Sequence, residues 1–257
     1  MNRTVVITGA SGGLGKAIAD LYRAGGDRVC GLSRSACDEE KDEYRCDVTD
    51  EAQVNAAVEK IAAKYGRIDV VINNAGVGVL GATELIPTES IRKAFDVSYY
   101  GSLHVSRACL KHMARGGRII FISSIAGLIP VPFRSVYSSA KAAQLALAEA
   151  MRMELKPAGI TVVAVCPGEI RTNFSANRIA DRATNGRYGD RVAASLDRIA
   201  AKTEKRMPAD VAAKKIFAIC EHGRKAVYVV GGKYKFFRFA QKLLPDTFFI
   251  ETAGRFS

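Results

Sequence analysis

Tyr137 and Lys141 stand four residues apart, Ser124 lies upstream, and Thr8-Gly9-Ala10-Ser11-Gly12-Gly13-Leu14-Gly15 sits almost at the N-terminus. A free phenol has a pKa of about 10, too high for efficient proton transfer at neutral pH. An ammonium close by stabilises the phenolate and lowers that value. Residues at i and i+4 share a helical face, so the spacing puts Lys141 within reach of the Tyr137 hydroxyl. The glycines have a different purpose. Without Cβ atoms the backbone turns sharply and approaches a pyrophosphate, while a following helix aims its N-terminal N–H groups at it. A proton donor beside a bound dinucleotide is equipment for hydride transfer to a carbonyl, or from an alcohol.

The elements that must position these groups are short β-branched runs separated by longer helical patterns. Val5-Val6-Ile7-Thr8, Arg28-Val29-Cys30-Gly31-Leu32, Tyr44-Arg45-Cys46, Asp69-Val70-Val71-Ile72-Asn73, Arg118-Ile119-Ile120-Phe121-Ile122, Thr161-Val162-Val163-Ala164-Val165 and Val227-Tyr228-Val229-Val230 read as strands. Helices are expected after the glycine turn, through Leu14, Ile18 and Leu21, and from Thr49-Asp50-Glu51 through Val54, Val58 and Ile61. Strands this short and apolar belong to a parallel sheet covered on both faces. The fold class is therefore α/β: a single-domain, doubly wound parallel sheet of about seven strands with helices on both faces. The polar, Arg-rich stretch 173–208 follows the sixth strand, on the carboxyl edge where such sheets bind ligands, and reads as a substrate lid within a 1–232 domain. Residues 233–257 form an appended tail.

With 257 residues, 48% hydrophobic and 25% charged, the chain is long enough for one large soluble domain. No apolar run approaches the roughly 18–20 residues that span a bilayer, and no charged-then-apolar leader opens the chain, so a cytoplasmic location is expected. Cys30, Cys37, Cys46, Cys109, Cys166 and Cys220 show no metal-type pairing and read as reduced, mostly buried thiols. His104, His112 and His222 lack the partners of a hydrolytic triad or a metal site. Lys and Arg number 38 against 26 acids, a formal charge of +12. Nothing resembling a nucleic-acid-binding motif accompanies that excess, which favours anionic ligands instead.

The wider Gly-x-x-x-Gly-x-Gly spacing, followed by Asn73-Asn74-Ala75-Gly76, Ser124, Tyr137-x-x-x-Lys141 and Pro167-Gly168, resembles the short-chain dehydrogenase/reductase family from Thr4 to about Val230. The resemblance implies a Rossmann-like fold and an oxidoreductase. The family's serine lies thirteen positions before its tyrosine, which selects Ser124 over Ser123. Ser124 would polarise the substrate carbonyl, Tyr137 would give it a proton, and Lys141 would lower the tyrosine pKa and hold the nicotinamide ribose. Gly9, Ser11, Gly13, Leu14 and Gly15 would cradle the pyrophosphate. Asp47 and Val48 would meet the adenine, Asn74, Ala75 and Gly76 would line the cofactor while Asn73 is structural, and Pro167, Gly168, Ile170 and Thr172 would contact the nicotinamide. Ser33 stands where NAD-preferring relatives carry an acid, and Arg34 follows it. A guanidinium there clasps a 2′-phosphate, so NADP(H) is the expected cofactor.

One position departs from the family. Ser98 replaces an asparagine that, in relatives, holds a helix irregularity and a water joined to the lysine. Either a second water fills the gap or the relay is broken; activity is expected, with Ser98→Asn leaving turnover unchanged or raising it. In the tail, Phe236, Phe237, Phe239, Ala240, Leu243 and Leu244 share a helical face opposite Lys235, Arg238 and Lys242, and Pro245 is expected to stop that helix. The pattern suits a helix docked on the body or on a second subunit of a homodimer or homotetramer. It also suits a helix lying on anionic lipid, giving peripheral membrane contact. Phe248, Phe249 and Ile250 would extend the apolar surface. With Phe133 and Phe174 as lid contacts, these features tilt the substrate towards a steroid-like or long-chain ketone or aldehyde. A catalytically weak NADP(H)-binding regulator or scaffold is the competing class, and a membrane-surface interaction protein a third.

Overall fold

The structure is a computed structural model that describes residues 2–35, 38–172, 174, 178–201 and 206–255. Seven strands form one parallel sheet: β1 (Thr4–Thr8), β2 (Arg28–Ser33), β3 (Glu43–Arg45), β4 (Val70–Asn73), β5 (Arg118–Ile122), β6 (Thr161–Pro167) and β7 (Val227–Val230). Their spatial order is β7-β6-β5-β4-β1-β2-β3, with Val6 opposite both Cys30 and Val71. The chain winds outward from β1 to β3, then returns to place β4 on the other side of β1. The exits of β1 and β4 therefore flank the topological switch point, where open α/β sheets take their ligands.

Strand alternation splits the core into two layers. Val6, Leu32, Val71, Ile119, Phe121 and Val162 face the helices α2 (Glu51–Tyr65), α4 (Gly101–Leu110) and α5 (Ser135–Leu155). Val5, Ile7, Val70, Ile72, Ile120 and Val163 face α1 (Gly13–Ala24) and α7 (Ala209–His222). Each fully buried Val or Ile contributes about 1.5–3 kcal/mol. Asp50 starts α2 as its N-cap, accepting from the N–H groups of Ala52 and Gln53. α3 (Thr88–Phe95) runs into α4 through a π turn, Asp96–Tyr100.

The third strand lies one residue earlier than the sequence suggests, and the sixth continues to Pro167. Two short parallel pairings were not foreseen: Val79–Leu80 with Ile179–Ala180, and Ile170–Arg171 with Met207–Pro208. Within 173–208 the chain forms α6 (Arg191–Ala201); residues 173, 175–177 and 202–205 of that stretch lie outside the described residues.

In the tail, α8 (Gly232–Leu243) forms and stops just before Pro245, both as expected, but a further helix was not foreseen. α9 (Asp246–Arg255) follows at once, with Phe249 N–H donating to Pro245 O at 3.0 Å. Proline suits a helix start because its missing N–H is no loss there. Phe249 is consequently buried rather than part of an exposed apolar surface. Cys30, Cys46, Cys109, Cys166 and Cys220 are buried free thiols; Cys37 lies outside the described residues. Among the described residues no His/Cys/Asp/Glu cluster is arranged to hold a metal, and no helix is long and apolar enough to cross a membrane.

Candidate active site

The glycine turn joins β1 to α1 and is folded back against the exit of β4. Gly9 and Gly13 have φ of 67° and 55°, the left-handed region that favours glycine. A Cβ on Gly15 would lie 2.2 Å from Gly9 O and 2.6 Å from Asn74 Nδ2, so only glycine allows the turn to close on the helix. Thr8 Oγ1 accepts hydrogen bonds from the backbone N–H of Asn74 at 2.9 Å and of Ala75 at 2.8 Å. Asn74 Nδ2 donates to Thr8 O at 3.0 Å. Asn73 instead points inward and donates to Ser106 Oγ, a structural contact. These residues fit a dinucleotide: backbone at the turn is bare of side chains, and α1 begins behind it.

A cleft of about 560 Å³ opens along the carboxyl edge of the sheet. Gly9, Ser11, Gly13 and Leu14 form its floor, with Asn74, Ala75 and Gly76 alongside. Ser33, Arg34, Asp47 and Val48 line one end. Ser33 Oγ donates to Ser35 O at 3.3 Å, and the exposed Arg34 between them has no ion pair or hydrogen bond among the described residues. Asp47 is not free: its carboxylate accepts from Thr49 N–H at 3.0 Å and Thr49 Oγ1 at 2.8 Å. Pro167, Gly168, Ile170, Thr172 and Phe174 line the other end. Gly168 makes room for the Tyr234 ring of α8, since a Cβ there would fall 1.8 Å from it.

Ser124, Tyr137 and Lys141 meet in the middle of this cleft. Ser124 caps a short turn, Ile125–Gly127, and accepts from Ala126 N–H at 3.1 Å. That turn presses on α5: a Cβ on Gly127 would lie 2.9 Å from the Lys141 carbonyl. Ser123 is committed elsewhere, donating to Lys141 O at 2.9 Å, which leaves Ser124 facing the cleft. Lys141 is almost completely buried and donates through Nζ to Ile122 O at 2.8 Å and to Gln144 Oε1 at 3.1 Å. Gln144 Nε2 in turn donates to Ser102 Oγ at 2.7 Å, and Ser102 Oγ to Ser98 O at 2.8 Å.

Burial dominates the electrostatics of both groups. Burial pushes the Tyr137 phenol up, against the lowering influence of the Ser124 hydroxyl and the charges of Arg178 and Arg134. Burial holds Lys141 itself down at about 8, and two of its three ammonium hydrogens are directed to Ile122 and Gln144. Desolvation outweighs the neighbouring charges at both groups.

Ser98, Gly15 and Phe133 stand off the cleft wall. Ser98 sits inside the π turn, fully buried, with its hydroxyl unpartnered, so the helix irregularity persists without the asparagine. Phe133 packs edge-on against Tyr188, with Arg191 over its ring, beneath α6. Phe174 does reach the site, its ring centroid 6.1 Å from that of Tyr137. Sequence reasoning missed Ser35, Lys93, Arg134, Glu169 and Arg178 on the cleft wall, and the Gln144–Ser102 pair behind it. The position of Gln144, one helical turn after Lys141, was the available signal for the latter.

The family model described as short chain dehydrogenase matches residues 3–183. The chain is 39% identical over 199 residues to a 3-ketodihydrosphingosine reductase of Bacteroides thetaiotaomicron, covering 75% of this chain and 74% of that one. It is 33% identical to an NADPH-dependent 3-dehydrocapnine reductase of Ornithobacterium rhinotracheale, covering 95% and 93%. A solved short-chain dehydrogenase from Streptomyces avermitilis superposes with a TM-score of 0.82 at 30% identity, covering 94% of this chain and 92% of that structure. The chain belongs to the short-chain dehydrogenase/reductase family. Its relatives are carbonyl and alcohol oxidoreductases, and that is the class of this protein.

Proposed function

We propose that this protein reduces a ketone or aldehyde with NADPH, or oxidises the matching secondary alcohol with NADP+, and that the substrate is hydrophobic. The observation that carries this reading is the convergence of Ser124, Tyr137 and Lys141 on one cleft with the glycine turn. Arg34, exposed at the adenosine end without a carboxylate partner among the described residues, supports NADP(H) over NAD(H). The name of the NADPH-dependent relative agrees.

Gly9, Ser11, Gly13 and Leu14 hold the pyrophosphate, Val48 and Asp47 the adenine, and Gly168, Ile170 and Thr172 the nicotinamide end. When bound, the nicotinamide supplies the hydride to the carbonyl carbon. Ser124 donates a hydrogen bond to the carbonyl oxygen and fixes its orientation. Tyr137 gives that oxygen its proton as negative charge develops there. Lys141 supplies a fixed positive charge beneath the reacting centre and a donor for the ribose. Gln144 sets the direction of that ammonium from behind. Val77, Ile125, Phe174 and Ile179 give the substrate end an apolar wall. Phe174, Arg178 and Ile179 border this end, and Tyr234 of α8 stands beside it against Gly168.

The test is NADPH oxidation measured spectrophotometrically against a panel from small diketones to steroids and long-chain ketones, with a parallel NADH series. Turnover with NADPH on the hydrophobic members supports the reading. Turnover confined to NADH, or none across the panel, contradicts it.

A further inference from the structure

Arg178 stands at the substrate end of the cleft with no ion pair and no hydrogen bond among the described residues. It is not a loose surface side chain. Its backbone is fixed by the neighbouring pairing of Ile179–Ala180 with Val79–Leu80, where Ile179 N–H donates to Gly78 O at 2.9 Å. Its stem passes directly over Gly78, where a Cβ would lie 2.7 Å from Arg178 Cγ. Its guanidinium stacks 5.7 Å from the centre of the Phe174 ring, the same ring that packs against Tyr137. These contacts put the cation a single aromatic ring away from the proton donor.

Its surroundings are cationic. Arg134 also lines the cleft but is paired with Glu169 at 3.5 Å, and Arg206 donates to Ile199 O. Burial, followed by the charges of Arg134 and Arg206, brings Arg178 down to about 10, so it keeps its proton at neutral pH. A partly desolvated guanidinium facing like charges is an unfavourable arrangement unless an anion completes it. Glu169, the nearby carboxylate, is already engaged by Arg134.

We propose that Arg178 binds an anionic group carried by the carbonyl substrate, a carboxylate or sulfonate (or a group of like charge and shape), so that the substrate is an anionic amphiphile. This rests on the carbonyl-reductase reading above and adds the substrate's charge to it. Arg178 sets specificity; it does not enter the proton or hydride steps.

The full-length protein saturated with NADP+ is titrated by calorimetry with two matched pairs. These are 4-oxodecanoate against its methyl ester, and 3-oxodecane-1-sulfonate against 3-decanone. The expected result is a preference for at least one anion over its neutral partner of about tenfold or more, as a charge-assisted hydrogen bond supplies. In Arg178→Met the ratio falls towards one, and in Arg178→Lys it is partly retained; thermal melts confirm that both variants fold. Comparing the two pairs tells which anion is preferred. An absent preference in the wild type, or one that survives Arg178→Met, overturns the inference. So does a loss that falls equally on NADPH affinity, which assigns Arg178 to the cofactor's phosphates. NADPH-dependent turnover of the ketones is recorded separately. Turnover without an Arg178-dependent preference leaves the reductase reading standing and ends this one. Arg178-dependent anion binding without turnover does the reverse.

Discussion

Lys141 is nearly inaccessible to solvent, yet the chemistry asks it to carry a charge. Burial brings it down to about 8, so it is a cation below that pH and neutral above it. Tyr137, pushed up by burial, keeps its proton through the same range. In the reduction direction kcat/KM, which reports the free enzyme, is expected to be level below about pH 8 and to fall above it. A profile that instead rises through pH 8 would show that the lysine charge is not required. The spacing of Tyr137 and Lys141 was legible in the sequence because one helical turn fixes a shared face. The direction of their pKa shifts was not, since desolvation depends on what covers α5. Arg178 was invisible for a related reason. Its side chain lies against Gly78, a hundred residues earlier, and over Phe174, and no local pattern announces either contact.

At the scale of elements, the turn between β1 and α1 is held by a contact that no side chain survives. Gly15→Ala would drive a methyl group into Gly9 O. Overpacking of this kind costs about 1–3 kcal/mol, and here the movement falls on the backbone that meets the pyrophosphate. The variant is expected to melt lower and to lose NADPH affinity at least about tenfold, as measured by thermal shift and by fluorescence titration. Unaltered affinity would place the pyrophosphate elsewhere. The strands were readable because each is short, β-branched and buried on both faces. The short pairing of Val79–Leu80 with Ile179–Ala180 was not, because two residues carry no periodicity. α9 was missed because a proline that stops one helix also starts the next.

At the scale of the whole molecule, the winding of the sheet brings residues from six strand exits and from α5 to one cleft, and the tail is seated beside it. Tyr234 fills the space above Gly168, and Gln241 Nε2 donates to Leu128 O at 3.0 Å. The docked helix still leaves Phe236 68%, Phe239 61% and Leu243 67% exposed. An apolar row of this size on an otherwise basic tail is expected to contact a second copy of the chain. Light scattering of Phe236→Ser/Phe239→Ser/Leu243→Ser should report a lower mass than the wild type. An unchanged mass, with loss of sedimentation on anionic liposomes, would assign the row to lipid. The amphipathic pattern was plain in the sequence; which part of it docks was not, because Tyr234 and Gln241 find their partners only once β6 and the Leu128 turn are in place. On the proposed reading, the whole fold serves to deliver a proton from Tyr137 to a carbonyl reduced by NADPH. Single-turnover NADPH oxidation by Tyr137→Phe, alongside its NADPH binding constant, isolates that proton transfer. Turnover is expected to fall at least about a thousandfold with cofactor affinity kept within about threefold; a variant that reduces its ketone at the wild-type rate would rule out Tyr137 as the proton donor.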